Sequence, residues 1–404
     1  MEFDIAIIGG GIVGAATFYQ LQKKNPTLKI ALFEKENILA KHQTGHNSGV
    51  LHSGLYYKPG SLKAKNCIEG KQEMIAFAKE YGIAHDICGK VVVASNQQEI
   101  VRLEKIHQTG IENKIEGIER ISSDQVKEIE PFVECLSGLW VPSTGIIDFI
   151  SATKKMIELA LALQAESRLF LAHEVISIIR NENETTIHTN KGEFTSKFMV
   201  FCSGLQADRM AKKDGLNLKE KIVPFRGDYY ELAAHAQHKV KNLIYPVPDP
   251  AFPFLGVHFT RMVGGGGVEC GPNAVFSFKR EGYNKTDFSF KDSFDALSYR
   301  GTWKLFLGNI SYGINEYRRA FSKKMFLKSL QQMIPSLTMD DIEPGRAGVR
   351  AQLLSQNGDT RDDFRIEHQG NAIHVLNAPS PAATASLAIG KYIALEAERK
   401  FGLK

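Results

Sequence analysis

The first forty residues set an apolar run, an amphipathic run and a second apolar run in a row. Phe3 to Ile8 is short and β-branched, the pattern of a strand buried on both faces of a parallel sheet. An amphipathic stretch leads to Lys24, Pro26 stops it, and Lys29 to Phe33 forms a second apolar strand. Helical periodicity returns after Ser61. Between Glu166 and Gly204 the pattern is strand-rich, with Val175 to Ile179, Thr185 to Thr189 and Lys197 to Cys202 arranged around the turn Asn190-Lys191-Gly192. Pro224 to Leu232 and Ala251 to Phe278 combine aromatic and β-branched residues with Gly and Pro breaks, the texture of an antiparallel sheet. Residues 280–330 read as helical. Pro335 to Asp341 marks a turn, Ile373 to Leu376 a strand, and Ala382 to Gly390 the start of a helix of small residues, with Pro381 in its first turn and Ser380 as N-cap.

This order predicts an α/β fold, in which a Rossmann-like domain is interleaved with an antiparallel-sheet domain. The expected segments are 1–85, 145–222 and 333–404 for the first domain, and 86–144 and 223–332 for the second.

Composition narrows the function. A chain of 404 residues, 43% apolar and 24% charged, is globular and long enough for two domains. Its net charge of +5 is spread without a basic block, so nucleic acid is not an expected partner. Weak peripheral contact with an anionic membrane surface stays open. The five cysteines include no CxxC pair, which argues against a disulfide framework and a zinc site; no metal is expected. The start EFDIAIIGG is not a signal-peptide leader, and no apolar run is long enough to span a membrane. The expected location is cytoplasmic, with peripheral contact at the inner face of the cell membrane as an option.

The turn after the first strand carries Gly9, Gly11 and Gly14 in G-x-G-x-x-G spacing. Gly9 makes the tight turn, Gly11 lets backbone approach a pyrophosphate, and Gly14 lets the helix pack on the sheet. The helix start at Ile12 and Val13 offers N–H groups to phosphate. Glu34, with Lys35 beside it, ends the second strand, where a carboxylate accepts hydrogen bonds from ribose hydroxyls. An acid there disfavours NADP and leaves NAD and FAD open.

The stretch GHNSGVLHSGLYYKPG, residues 45–60, holds four glycines, two histidines, two serines and two tyrosines where an NAD-dependent enzyme would resume βα alternation. Such a loop suits the flat, wide ring system of a flavin. Continued through SLKAK, it resembles the L-2-hydroxyglutarate dehydrogenase/oxidase family, within the flavoenzymes of the D-amino-acid oxidase and glycerol-3-phosphate dehydrogenase fold. Collinear agreement continues through VFCSGLQADRMA (200–211), VPFRGDYYEL (223–232), FPFLGVHFTR (252–261), VECGPNAV (268–275), AGVRAQ (347–352) and HVLNAPSPAATASLAIGKYI (374–393).

The resemblance implies FAD as cofactor and an FAD-binding domain paired with a substrate domain. It implies cofactor contacts along Gly45, His46, Asn47, Ser48, Gly49 and Val50. It places a backbone contact to the adenine at Val175 and a second approach of the chain at Ser203 and Gly204. A third approach is implied at Ser380, Pro381, Ala382, Ala383 and Thr384, where a helix start would favour the anionic reduced flavin. The implied reaction oxidises L-2-hydroxyglutarate to 2-oxoglutarate by hydride transfer from C2 to flavin N5, with electrons passed to a quinone, another acceptor or oxygen. Alternatives are oxidation of another small acid, an amino acid or glycerol 3-phosphate, and a flavoprotein without turnover.

Removing the hydroxyl proton calls for a base titrating near neutrality, and His52 and His258 stand as equal candidates. A carboxylate substrate calls for a fixed guanidinium. Arg350 is the first choice, with Gln352 two residues on and so on the same face, and Arg261 the second. Tyr57 and Tyr229 (or its neighbour Tyr230) offer hydroxyls.

Overall fold

The computed structural model describes residues 1–181, 184–249 and 256–403. Ala251 and the FPFL of FPFLGVHFTR therefore lie outside the described residues. An eight-stranded sheet forms the first layer. Its centre is Glu2–Ile8, parallel to Ile30–Phe33 on one side and to Gly192–Phe201 on the other. Ile5, Ala6 and Ile7 are fully buried, as a strand covered on both faces requires. Gly192–Phe201 pairs along its other edge with two elements in succession, antiparallel Thr185–Thr189 and then parallel Ala372–Asn377. Helices Ile12–Lys24, Phe149–Leu163 and Ser386–Phe401 share one core with this sheet.

The small residues of the C-terminal helix serve this packing. A Cβ on Gly390 would lie 2.6 Å from the backbone of Ala16, so only glycine permits the approach. The helix begins at Ser386, later than the sequence suggests. Residues 380–385 instead form successive turns, with Thr384 tied to the segment after the cofactor loop: its hydroxyl donates to Val50 O at 3.1 Å and accepts from His52 N at 3.2 Å.

The second sheet has nine strands and faces the first across a deep cleft. It is mostly antiparallel, with one parallel pair, Leu243–Pro246 beside Lys90–Ala94. Its longest pairing joins Lys221–Leu232 to Ile342–Leu354, from Lys221 opposite Leu354 to Leu232 opposite Ile342. The turn before Ile342 thus leads into this sheet, and the chain regains the first sheet only at Arg365–Gln369, well after the expected boundary at 333. A turn signal marks where one element stops; long-range register decides which sheet the next one joins.

Four helices, Phe290–Leu297, Arg300–Gly308, Ile310–Phe321 and Lys323–Leu330, lie over the second sheet. Arg280 ties this helical layer to the first domain. Its guanidinium is buried, pairs with Asp208 and Asp295, and donates to Leu205 O at 2.8 Å and Ile222 O at 3.1 Å. Removing it leaves the Asp208 carboxylate uncompensated in the interior. Arg280→Ala is therefore expected to lower stability by about 3–5 kcal/mol, read as a drop in the urea midpoint, whereas Arg318→Ala on the exposed face leaves that midpoint unchanged.

Candidate active site

A cavity of about 880 Å³ lies between the two sheets. At one end it is walled by the glycine turn. Gly9 has φ +116°, and a Cβ there would lie 2.4 Å from Cys202 O. Gly9, Gly11, Ile12 and Val13 line the cavity, while Gly14 faces the helix–strand contact, where a Cβ would lie 2.0 Å from Gly9 O. The first helical turn carries no acidic side chain to compete with a phosphate. Glu34 and Lys35 line this end. The Glu34 carboxylate accepts from Gly10 N at 2.7 Å through one oxygen and from Glu36 N at 2.9 Å through the other. It braces the glycine turn, and each oxygen keeps a lone pair for a ribose hydroxyl. Val175, Ser203 and Gly204 complete this wall.

The loop at 45–50 forms the middle of the cavity. His46, Asn47, Ser48 and Val50 line it, whereas Gly45 and Gly49 do not. Those two glycines shape the loop: a Cβ on Gly45 would meet Ala40 O at 2.5 Å, and Gly49 has φ +66°. The His46 ring stacks on Tyr283 at 4.0 Å and donates through Nδ1 to Ala347 O at 2.8 Å. Arg346 holds the loop from below, donating to Gly45 O at 2.9 Å and Asn47 O at 2.6 Å while paired with the buried carboxylate of Glu269. Ser380, Pro381, Ala382, Ala383 and Thr384 face the cavity across from the loop. Three Gly- or Ala-rich segments thus leave an extended, narrow-walled space beside a helix start. Its donor set and shape fit a flavin dinucleotide.

Beyond that space the cavity is lined by His52, His258, Tyr229, Arg350 and Gln352, joined by Tyr245 and Lys63. Tyr229 sits at an irregularity in the pairing of Lys221–Leu232, which turns it into the cavity while Tyr230 packs on Phe326. His258 donates through Nδ1 to Gly256 O at 2.9 Å and stacks on Tyr245 at 4.0 Å. In the neutral ring Nε2 therefore carries the lone pair. Burial holds His258 down to about 4, with Arg350 and Lys90 adding repulsion against the Gly256 hydrogen bond. Burial also holds His52 down to about 3, helped by Lys90, His258 and Lys63. Tyr229 is pushed up to about 12 by burial, so its hydroxyl stays a donor.

Two candidates sit elsewhere. Arg261 does not line the cavity and pairs with Asp86. It stands three positions after His258, an odd step that puts it on the opposite face of the strand. Tyr57 is behind the wall, hydrogen-bonded to the Ser380 side chain and covered by Lys63 at 4.9 Å. Sequence reading missed Arg346, Tyr245, Lys63 and Lys90. Lys90 is buried between the rings of Tyr56 at 4.8 Å and Tyr245 at 5.0 Å, and burial lowers it to about 7. Its one visible signal is a lone charge opening the apolar strand KVVVA.

The family model of FAD dependent oxidoreductases matches residues 4–395. An L-2-hydroxyglutarate dehydrogenase of Indibacter alkaliphilus is 47% identical over 99% of this chain and 100% of its own length. The chain belongs to the L-2-hydroxyglutarate dehydrogenase family of FAD-dependent oxidoreductases. The Escherichia coli K12 member is 43% identical over 97% of this chain and 92% of its own. The mitochondrial Bos taurus member is 42% identical over 100% and 90%. Among solved structures, FAD-bound L-α-glycerophosphate oxidase from Mycoplasma pneumoniae superposes with a TM-score of 0.79 at 24% identity, covering 100% of this chain and 96% of that one. Glycine oxidase from Geobacillus kaustophilus gives 0.72 at 17%, covering 98% and 95%. The fold and the FAD cofactor expected from the sequence are those of the family.

The two cavity histidines couple folding to pH. Their folded values lie below the ordinary 6.5, so the unfolded chain binds more protons as pH falls from there. Stability contributed by keeping them neutral is complete above pH 6.5 and is lost as pH falls toward 4. The thermal midpoint of this family member is expected to fall across that window, and His258→Gln to flatten the fall, in scans at closely spaced pH values.

Proposed function

We propose that this enzyme oxidises L-2-hydroxyglutarate to 2-oxoglutarate and passes the electrons to a quinone or another acceptor. The observation that carries the reading is the pairing of a base with an anion site: His258, whose Nε2 the Gly256 contact leaves as the acceptor nitrogen of the neutral ring, shares the cavity wall with Arg350 and Gln352. The names of its relatives, at 42–47% identity over nearly full length, support the substrate.

Bound FAD supplies the hydride acceptor at N5. The chain supplies the rest. Arg350 receives the substrate carboxylate next to C2, and its planar fork fixes the orientation of the C2–H bond. Gln352, on the same face, donates alongside. Tyr229, held protonated, hydrogen-bonds the hydroxyl oxygen as it becomes a carbonyl. His258 Nε2 takes the hydroxyl proton, and His52, buried and held neutral, lines the same cavity. A second carboxylate needs a second cation. Lys63 lines the cavity with one donor on Asp362 O at 3.1 Å and others to give.

Two measurements test this. Anaerobic addition of L-2-hydroxyglutarate to the flavin-loaded enzyme should bleach the flavin, and the D-isomer, glycerol 3-phosphate and glycine should not. Bleaching by one of those and not by L-2-hydroxyglutarate removes the substrate assignment. His258→Gln should lower kcat by about 10²–10⁴-fold with flavin retained, while Arg350→Met should act mainly on KM, by about 30-fold or more.

A further inference from the structure

Lys90 is a cation without an anion. It opens the strand Lys90–Ala94, whose other four residues are apolar, and it is 1% exposed. The strand is paired on both edges, with Leu243 and Val141 opposite Lys90. Its Nζ lies 4.8 Å from the Tyr56 ring centre and 5.0 Å from that of Tyr245. On Tyr245 the His258 ring stacks at 4.0 Å. Tyr245 and His258 line the cavity, whereas Lys90 does not. Contact by contact, Tyr56, Lys90, Tyr245 and His258 thus lead from behind the wall to the cavity surface.

Among the described residues, the titratable groups that face this ammonium are neutral or cationic at pH 7. His52 and Tyr56 come from the segment before the helix Leu62–Glu80. Cys67 comes from that helix, with Lys63 and Lys71 acting on it. Tyr245 comes from Leu243–Pro246, and His258 from His258–Arg261, with Arg350 acting on His258. The helix Gln97–Glu112 and the strand Ser137–Val141, both packed on Lys90–Ala94, bring no charge to bear on it. Burial pushes Cys67 up to about 12 and raises both tyrosines, so none of them turns into an anion. A buried amine without a partner costs stability that an apolar side chain in its place would not. The missing countercharge can only enter with a ligand.

We propose that Lys90 is a positioning residue that takes a proton from solvent as a dicarboxylate fills the substrate end of the cavity, leaving His258 unprotonated to act as the base. The Nζ lone pair forms the new N–H bond, and no bond of the acid is broken. Two carboxylates brought beside this wall favour every cationic form in it. Lys90, lowered by burial to about 7, is a stronger base than His258 at about 4 or His52 at about 3, so the proton goes to it. Once charged, it holds His258 down by its own field. Without it, the incoming dianion would draw the proton onto His258 and block the base before turnover. Lys90 acts through Tyr245 and through its charge, not by contact with the acid. The proposal rests on the diacid reading given above. An amine at about 7 in the empty site and higher in the filled one binds acid and proton together, so affinity falls as pH rises above 7.

Calorimetry of 2-oxoglutarate binding to the oxidised, flavin-loaded enzyme at pH 8, in buffers of different ionisation enthalpy, tests it. Wild type should take up about half a proton or more per site, and its dissociation constant should rise about threefold or more between pH 7 and pH 8.5. Lys90→Met should take up none and lose that pH dependence, with its thermal midpoint kept or raised. Lys90→Arg, charged throughout, should also take up none yet keep tight binding at pH 8.5. Wild type and Lys90→Met decide the matter should the arginine not fit between the rings. In turnover of L-2-hydroxyglutarate, the acid limb of kcat should move up by about one pH unit in Lys90→Met, which a merely structural lysine would not move. Binding by wild type without proton uptake, or uptake that persists in Lys90→Met, overturns the proposal and leaves the substrate reading standing. Absence of 2-oxoglutarate binding at every pH overturns it as well, and bleaching by L-2-hydroxyglutarate then shows whether the substrate reading falls with it.

Discussion

Arg346 is the contact on which the site depends. One guanidinium reaches from the long edge strand of the second sheet to the carbonyls of Gly45 and Asn47 in the cofactor loop. Its charge is balanced by Glu269, itself buried, so the group is locked from both sides. The neighbouring residues tighten the same joint. Ala347 O holds the His46 ring, and a Cβ on Gly348 would lie 2.4 Å from His46 O. Three consecutive residues of that strand, 346–348, thus have their spacing set by the loop. Two residues further, Arg350 reaches the cavity. The position of Arg350 in the cavity wall is inherited from the clamp that holds the loop.

The cavity wall sets protonation by excluding water more than by pairing charges. His52, His258 and Lys90 are all held toward their neutral forms by burial, and Lys90 pushes the two histidines further the same way. Tyr56 and Tyr245 give the Lys90 ammonium ring faces, and among the described residues no carboxylate pairs with it. Adding a dianion to such a wall supplies the missing countercharge.

What could be read in the sequence was local. The strand–glycine–helix–strand–acid run needs only residues close in the chain, and the loop at 45–60 announces itself by composition. The hairpin around Asn190-Lys191-Gly192 was legible for the same reason. What could not be read was long-range. Arg261 looked well placed beside His258, yet strand parity turns it away. The boundary at 333 followed a real turn but not the register that carries Ile342–Leu354 into the other sheet. The late start of the final helix depends on Thr384 finding Val50, 334 residues away. Lys90 and Arg346 carry no motif at all; each is significant only for what surrounds it after folding.

The order in which the cradle is made follows from that last contact. The glycine turn and the loop at 45–50 leave the ribosome early, but their opposite wall does not exist until synthesis has passed Thr384. The central sheet likewise waits for Ala372–Asn377 to add its strand beside Gly192–Phe201. A chain that stops short of Thr384 presents half a cofactor site, open on the side that residues 380–384 would close. A complete wall around the cofactor space therefore requires both the loop at 45–50 and the segment ending at Thr384 in the same folded chain.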